Sequence, residues 1–271
     1  MSASPVYVLG DIHGQYVRFI SLLKEAAFLD AELSWHGGAA QLWLLGDYFD
    51  RGPGGIACLD LIMRLQVQAS DSGGLLEALL GNHDVLLLAA LLFGEQPSTG
   101  TGGTFFADWL DNGGSLTDLD DLERPHIEWL LNLPALALVN GCLLAHADAR
   151  FYLRYGHSVA QVNRGLAALL HARDATAWDG LLSDFNQRRY FWDAQNGADN
   201  ARTFLQIYGA AQLIHGHTPI SRLTGRNPEL VREPLVYADS LCVNVDGGMY
   251  LGGSGFLHRL DDDYQWKNAM R

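Results

Sequence analysis

The nine residues Val6 to Gly14, "VYVLGDIHG", set a short apolar run directly before a glycine, an aspartate and a histidine. A short apolar run that stops at a turn residue reads as a strand, and "YVRFISLLKEAAFL" (Tyr16 to Leu29) then carries apolar residues at helical spacing. The cadence recurs twice. "QLWLL" (Gln41 to Leu45) ends at "GDYFDRG" before the helical "IACLDLIMRLQVQ", and "LLEALL" (Leu75 to Leu80) ends at "GNHD" before "VLLLAALLFG". Taken alone "LLEALL" has the composition of a helix, and only its place in the series assigns it to a strand. Strand, loop and helix three times over predict a sheet covered by helices.

Working outward, residues 94–134 are rich in Gly, Ser, Thr and Asp around two short amphipathic pieces, which predicts a surface excursion rather than a separate domain. "ALALV" and "CLLAHAD" flank "NG", a strong hairpin signal. A helical middle is expected from Val159 to about Leu182, and the end, "LVYADSLCVNVDGGMYLGGSGFLHRLDDD", reads as strand and turn. No repeat or linker divides the chain, so residues 1–271 are expected to form one domain.

Composition narrows the function. Apolar residues make up 48% and charged residues 18%, the profile of an ordinary globular protein. No apolar run is long enough to cross a bilayer, and "MSASPVYVLG" lacks the pattern of a secretory leader, so a cytoplasmic location and no membrane partner are expected. Cys58, Cys142 and Cys242 are odd in number and widely spaced, which reads as buried thiols rather than ligands or disulfides. With 18 basic and 31 acidic residues, a net charge of −13 repels a polyphosphate backbone, so nucleic-acid binding is disfavoured. Some of that acidity is instead expected in a site whose carboxylates are offset by bound cations.

The three strand ends deliver Asp11, Asp47 and Asn82, each directly after a glycine. Open α/β sheets place ligand sites at the carboxyl ends of their strands. A lone Asp11 would more often be a helix cap. Three such positions accompanied by His13 and His83 point to ligands instead. His146 in "HAD" and His217 in "HGHTP" repeat the pattern of an apolar run ending at a histidine. Asp11, His13, Asp47, Asn82, His146 and His217 together exceed one tetrahedral site and suit two divalent ions sharing a carboxylate. Mixed nitrogen and oxygen donors favour Mn²⁺, Fe²⁺ or Zn²⁺ over Mg²⁺ or Ca²⁺, with Mn²⁺ the first expectation.

"GDIHG", "GDYFDRG", "GNHD", "HAD" and "GHTP", in that order, resemble the calcineurin-like metallophosphoesterases, and within them the phosphoprotein phosphatase branch in its bacterial and phage forms. The likeness covers residues 6–219, and "VNVDGGMYLGG" is similar to the closing strand pair of the family. It implies an α/β fold in which a two-sheet β-sandwich is flanked by helices, four layers αββα. It also implies Asp11 and His13 on the first metal, Asp47 as the bridge, and Asn82, His146 and His217 on the second. The related nucleases and phosphodiesterases carry a further histidine where this chain has Pro219. His215 has no counterpart in the pattern and is left as a pocket-side, structural or ligating residue.

Two metals roughly 4 Å apart can turn a bridging water into hydroxide aimed at phosphorus. Arg51 is the first candidate for holding phosphoryl oxygens, against a bland surface ion pair. His83, which otherwise could be an N-cap, is the candidate general acid, and Asp50 its partner, expected to hold it as imidazolium. The resemblance assigns the same pair. A second phosphate arginine is expected near "FNQRRYF": Arg188 first, then Arg189, with Arg150 as an outside candidate. Asp148 is expected to orient His146. The first functional reading is a phosphomonoesterase acting on phosphoserine or phosphothreonine, with phosphotyrosine also open. Its substrates would be phosphorylated proteins, peptides or small phosphomonoesters. The second reading is a diadenosine tetraphosphate hydrolase, which "GPGG" and "GNHDVLLLAALLFG" also resemble, although those enzymes commonly lack the aspartate found here as Asp50. An inactive binding module would need a lost ligand or acid, and none is lost. Sequence leaves the oligomeric state open.

Overall fold

The computed structural model describes residues 4–260. The first residues read for a leader, and Asp261 to Asp263 of the closing stretch, lie outside them. The first sheet takes its strands from the opening cadence: β1 (Val6–Leu9), β2 (Gln41–Leu44) and β3 (Leu75–Ala78). These run parallel in the order β3-β2-β1, in register Val6 to Gln41 and Gln41 to Leu75. The helices between and after them are α1 (Tyr16–Glu25), α2 (Gly55–Asp71) and α3 (Asn82–Phe93). "LLEALL" is thus a strand, and tertiary context overrides its helical composition. Leu76 and Ala78 point inward, and the strand pairs along its whole length with β2.

Residues 94–134 depart from expectation. They form three helices, α4 (Phe105–Asp111), α5 (Leu116–Asp120) and α6 (Arg124–Leu131), not two pieces. They are also more than a surface excursion, because Phe105, Trp109 and Leu130 are fully buried. Phe105 packs on Phe93 of α3 with ring centroids 5.1 Å apart. Thr104 and Ser115 cap α4 and α5 through their hydroxyls, which accept N–H bonds from Ala107 and Asp118.

The hairpin appears where "NG" predicts it, as β4 (Leu136–Val139) and β5 (Cys142–Ala145). The helical middle splits at Arg173 and Asp174 into α7 (Val159–Ala172) and α8 (Ala175–Phe185), Arg173 ending the first in a left-handed conformation and Asp174 capping the second. A further helix, α9 (Gly197–Tyr208), precedes β6 (Gln212–His215), and α10 (Ile220–Thr224) follows it. The chain closes through β7 (Leu235–Tyr237), β8 (Cys242–Asn244) and β9 (His258–Leu260). The closing stretch is strand and turn as expected, with one 3₁₀ turn at Met249–Leu251.

β9 joins the first sheet antiparallel to β1, while β4-β5-β6-β8-β7 form the second, with β5, β6 and β8 parallel. Strand alternation divides the core in two. Val6 and Val8 of β1 face Leu144, Ile214 and Val243 of the second sheet, while Leu9, Leu42 and Leu44 belong to the larger cluster under the helices. Two mixed sheets packed face to face with helices outside make the αββα sandwich. All three cysteines are buried free thiols, and burial pushes that of Cys142 up to about 11. No helix among the described residues is long and apolar enough to cross a membrane.

Phe105 joins residues 94–134 to α3. Replacing it with alanine leaves a cavity and is expected to cost about 3–5 kcal/mol. Thermal and denaturant unfolding of F105A check this; a change under about 1 kcal/mol would show that the segment is not part of the cooperative core.

Candidate active site

Each chemistry-bearing side chain sits just beyond a strand. β1 leads to Asp11 and His13; β2 to Asp47, Asp50 and Arg51; β3 to Asn82 and His83, in the first turn of α3; β5 to His146; and β6 to His217. The turns are tight enough that His13, Asp47, Asp50, Arg51 and His217 all adopt positive φ, from 49° to 69°. Such backbone is uncommon for residues with a Cβ and persists only where the surroundings enforce it. Here the N–H groups of Ile12 and His13 both donate to the carbonyl of Asp47, at 3.2 and 2.8 Å. Those of Asp47, Tyr48 and Gly81 donate to the buried Asp84 carboxylate at 3.0, 3.0 and 2.8 Å. Glycine is required beside the carboxylates. A Cβ on Gly81 would lie 2.3 Å from Oδ1 of Asp47, and one on Gly216 2.3 Å from Oδ1 of Asp11.

The six expected ligands converge, buried, in two groups that share Asp47. In one, His13 Nε2 lies 3.8 Å from Asp11 Oδ2 and 3.5 Å from Asp47 Oδ2. In the other, His146 Nε2 lies 3.4 Å from Asp47 Oδ1, 2.9 Å from Asn82 Oδ1 and 3.0 Å from His217 Nδ1. The two oxygens of one carboxylate therefore serve different groups. The tautomers are set from behind: Nδ1–H of His13 donates to the Phe49 carbonyl and Nδ1–H of His146 to that of Leu45, both at 2.9 Å. Each ring thus turns a lone pair on Nε2 into the site. His146 Nε2 and Asn82 Oδ1 are then two acceptors face to face, and Asp11 Oδ2 is buried without a hydrogen-bond partner. Acceptors crowded this way fit a cation and little else. His83 also lies within ligand reach of His13 and Asp47, but its Nδ1 is held by a side-chain carboxylate, Asp50, where that of His13 is held by a backbone carbonyl.

The electrostatics match. Burial lowers the pKa of His13, His146 and His217, which keeps these imidazoles in the neutral, ligating form. Asp11 is raised by burial and then by the neighbouring Asp246 and Asp47, and Asp246 is itself pushed up to about 7, burial being the chief cause.

Beside the first group, Nδ1–H of His83 donates to Asp50 Oδ2 at 2.6 Å, so the expected pair is formed. The other oxygen of Asp50 accepts from Trp109 Nε1 at 2.8 Å. Arg51 donates to Nε2 of both His13 and His83, at 2.8 and 2.7 Å, and lies 4.3 Å above the ring of Tyr250. Arg51 thus occupies Nε2 of His83, the nitrogen from which the expected acid would give its proton. Arg188 lines a cleft of about 400 Å³ that begins at Asn82 and runs between Thr99–Thr101 and α8, where Asp179, Ser183 and Asn186 face it. Arg150 turns aside to the hydroxyl and ring of Tyr190, and Arg189 contributes its backbone N–H to Asp148. Asp148 does not reach His146: its carboxylate is occupied by Arg189 and Tyr237, and the Leu45 carbonyl orients His146 instead. His215 is buried against Tyr237, outside the ligand groups, and Pro219 caps α10. Trp109, Tyr250 and Asp84 went unassigned from sequence. Asp84 was within reach as the last letter of "GNHD", Tyr250 lay within "DGGMYLGG", and Trp109 carried no local signal.

A model of the calcineurin-like phosphoesterase family matches residues 4–221. The chain belongs to that family. It is similar to the symmetrical bis(5'-nucleosyl)-tetraphosphatase of Chromohalobacter salexigens, 38% identical over 212 residues that cover 77% of this chain and 67% of the relative. The enzyme of the same name from Aromatoleum aromaticum is 30% identical over 142 residues, 52% of this chain and 43% of its own length. Among solved structures, the cold-active protein-tyrosine phosphatase of a psychrophilic Shewanella species aligns over 97% of this chain and 76% of its own, with a TM-score of 0.73. At 22% identity that likeness shows the calcineurin-like phosphoesterase fold and no more. Family membership and the paired clusters make the protein a metal-dependent hydrolase with a dinuclear site.

Because the two oxygens of Asp47 face different groups, Asp47→Asn is expected to weaken both cations together. Metal analysis of the purified variant checks this. Two tightly held ions with near-normal turnover would remove the bridging role.

Proposed function

We propose that this phosphoesterase cleaves dinucleoside polyphosphates, diadenosine tetraphosphate being the test substrate. The observation that carries the reading is the similarity, over 77% of this chain, to a symmetrical bis(5'-nucleosyl)-tetraphosphatase. The cleft supports it, since about 400 Å³ beyond Asn82 leaves room for much more than a phosphoryl group. This reverses the order of the two readings drawn from sequence. Asp11, His13, Asp47, Asn82, His146 and His217 would hold the cations, and the mixed donor set favours Mn²⁺, then Fe²⁺ or Zn²⁺. When bound, the pair would supply Lewis-acid polarisation of phosphoryl oxygens and activation of water.

The side chains do the rest. The forks of Arg51 and Arg188 bind phosphoryl oxygens and neutralise charge that grows there. An oxyanion that draws Arg51 off His83 frees Nε2 of that ring to take up a proton from water and pass it to the leaving oxygen. Asp50 fixes the opposite nitrogen as donor and stabilises the charged ring, and Trp109 holds Asp50 in place. Tyr250 supports the guanidinium of Arg51 from below.

The His83–Asp50 pair favours the second reading, a phosphomonoesterase acting on phosphoserine, phosphothreonine or phosphotyrosine, because an alkoxide leaving group needs a proton more than a nucleotide does. A metal-reconstituted panel decides between them. On the first reading kcat/KM is at least about tenfold higher for diadenosine tetraphosphate than for phosphopeptides or p-nitrophenyl phosphate, with ADP as product. The opposite preference would overturn it.

On either reading His83→Asn should leave metal content intact, as the ligand is the neighbouring Asn82. Turnover of an alkyl phosphate is expected to fall roughly 10²- to 10⁴-fold, and that of p-nitrophenyl phosphate much less. The check is log kcat plotted against leaving-group pKa for wild type and variant. A constant offset, with no steeper slope, would make His83 a residue that positions phosphate and not an acid.

A further inference from the structure

The loop that presents Arg188 is tied down one residue further on. Arg189 has φ of 62°, a conformation its Cβ disfavours, and its N–H donates to Oδ1 of Asp148 at 2.7 Å. The next N–H, of Tyr190, donates to the backbone carbonyl of Asp148 at 3.0 Å. Asp148 is itself buried, and its second oxygen accepts the hydroxyl of Tyr237 on β7 at 2.8 Å. The phenol oxygen also lies 2.8 Å from Nε2 of His215, whose Nδ1 faces the Gly216 carbonyl at 3.0 Å. Trp192 closes the other side of the Tyr237 ring with centroids 5.0 Å apart. A chain of bonds thus runs from β6 through β7 to the backbone that carries Arg188. The Arg188 side chain itself makes one long bond, from Nε to the Asn186 carbonyl at 3.3 Å, and otherwise lines the cleft beside Asn82.

A flexible arginine binds an oxyanion well only if the main chain delivers its fork to one place, because misplacement of about 1 Å forfeits much of the benefit. We infer that Asp148 and Tyr237 are positioning residues for Arg188: they clamp the 186–190 turn so that the guanidinium is held over the metal-binding groups. The clamp rests on the reading of Arg188 as a phosphate ligand. It accounts for a buried carboxylate two residues from a metal ligand that touches no metal ligand.

The test is a double-mutant cycle on the metal-loaded protein, reading metal content, kcat, KM and competitive inhibition by inorganic phosphate. Asp148→Ala is expected to keep both cations while KM and the phosphate inhibition constant rise about tenfold, kcat changing less. Tyr237→Phe should move the same constants in the same direction by a smaller factor, and it carries the cycle if D148A does not fold. In an Arg188→Ala background either change should add less than about twofold, because the residue they act through is gone. Losses of equal size in both backgrounds would overturn the clamp, as would loss of metal from D148A. If R188A alone leaves KM and phosphate inhibition at wild-type values, the reading of Arg188 fails and the clamp falls with it. If R188A weakens phosphate binding but D148A and Y237F do not, the clamp alone fails.

Discussion

One carboxylate at the end of β2 sets the geometry on which the rest of the site depends. Asp47 sits in a left-handed turn, turns one oxygen toward Asp11 and His13, and turns the other toward Asn82, His146 and His217. That division needs the backbone turn, and the turn needs Asp84, whose carboxylate gathers the N–H groups of Asp47, Tyr48 and Gly81. Burial and the nearby Asp47 push Asp84 up to about 8, against the pull of those N–H bonds. A second acidic group so close to the bridge is costly to hold ionised, and positive charge in the adjacent groups offsets that cost.

The sandwich explains why so few contacts suffice. Parallel strands in each sheet end at the same level, so five loops meet along one rim between the two sheets. Glycine at positions 81 and 216 lets main chain pass within van der Waals distance of the two carboxylates. The site is thus assembled from rigid strand ends, with backbone carbonyls of Leu45 and Phe49 aligning two of the histidines. The arginines are placed by other means, Arg51 against the rings of His13, His83 and Tyr250, and Arg188 by the backbone turn that carries it.

Legibility in the sequence followed the range of the interactions. The six candidate ligands could be read because each lies within a few residues of a strand end and all but His146 have a glycine beside them, so local pattern and placement in the fold coincide. β3 was legible only through its place in the repeated cadence. α9 shows apolar positions at Ala201, Phe204, Leu205 and Tyr208, one face of a helix, yet the polar residues between them masked that face. Trp109 could not be read at all, since its meaning arises from a contact 59 residues away in sequence, with Asp50. Asp148 misled for a related reason: proximity to His146 along the chain suggested a partner, but the chain bends after β5 and the Asp148 carboxylate turns to the Arg189 N–H and the Tyr237 hydroxyl.

The bond from Trp109 to Asp50 also joins two parts of the protein. The candidate metal-binding groups sit at the strand ends, whereas the support for the His83–Asp50 pair comes from residues 94–134, the same stretch that walls the cleft through Thr99 to Thr101. Exchange of that stretch between relatives would therefore retune leaving-group chemistry and cleft shape in one step while the metal frame stays as it is. A change of substrate on such a scaffold needs no new ligand, only a different sequence in that one stretch.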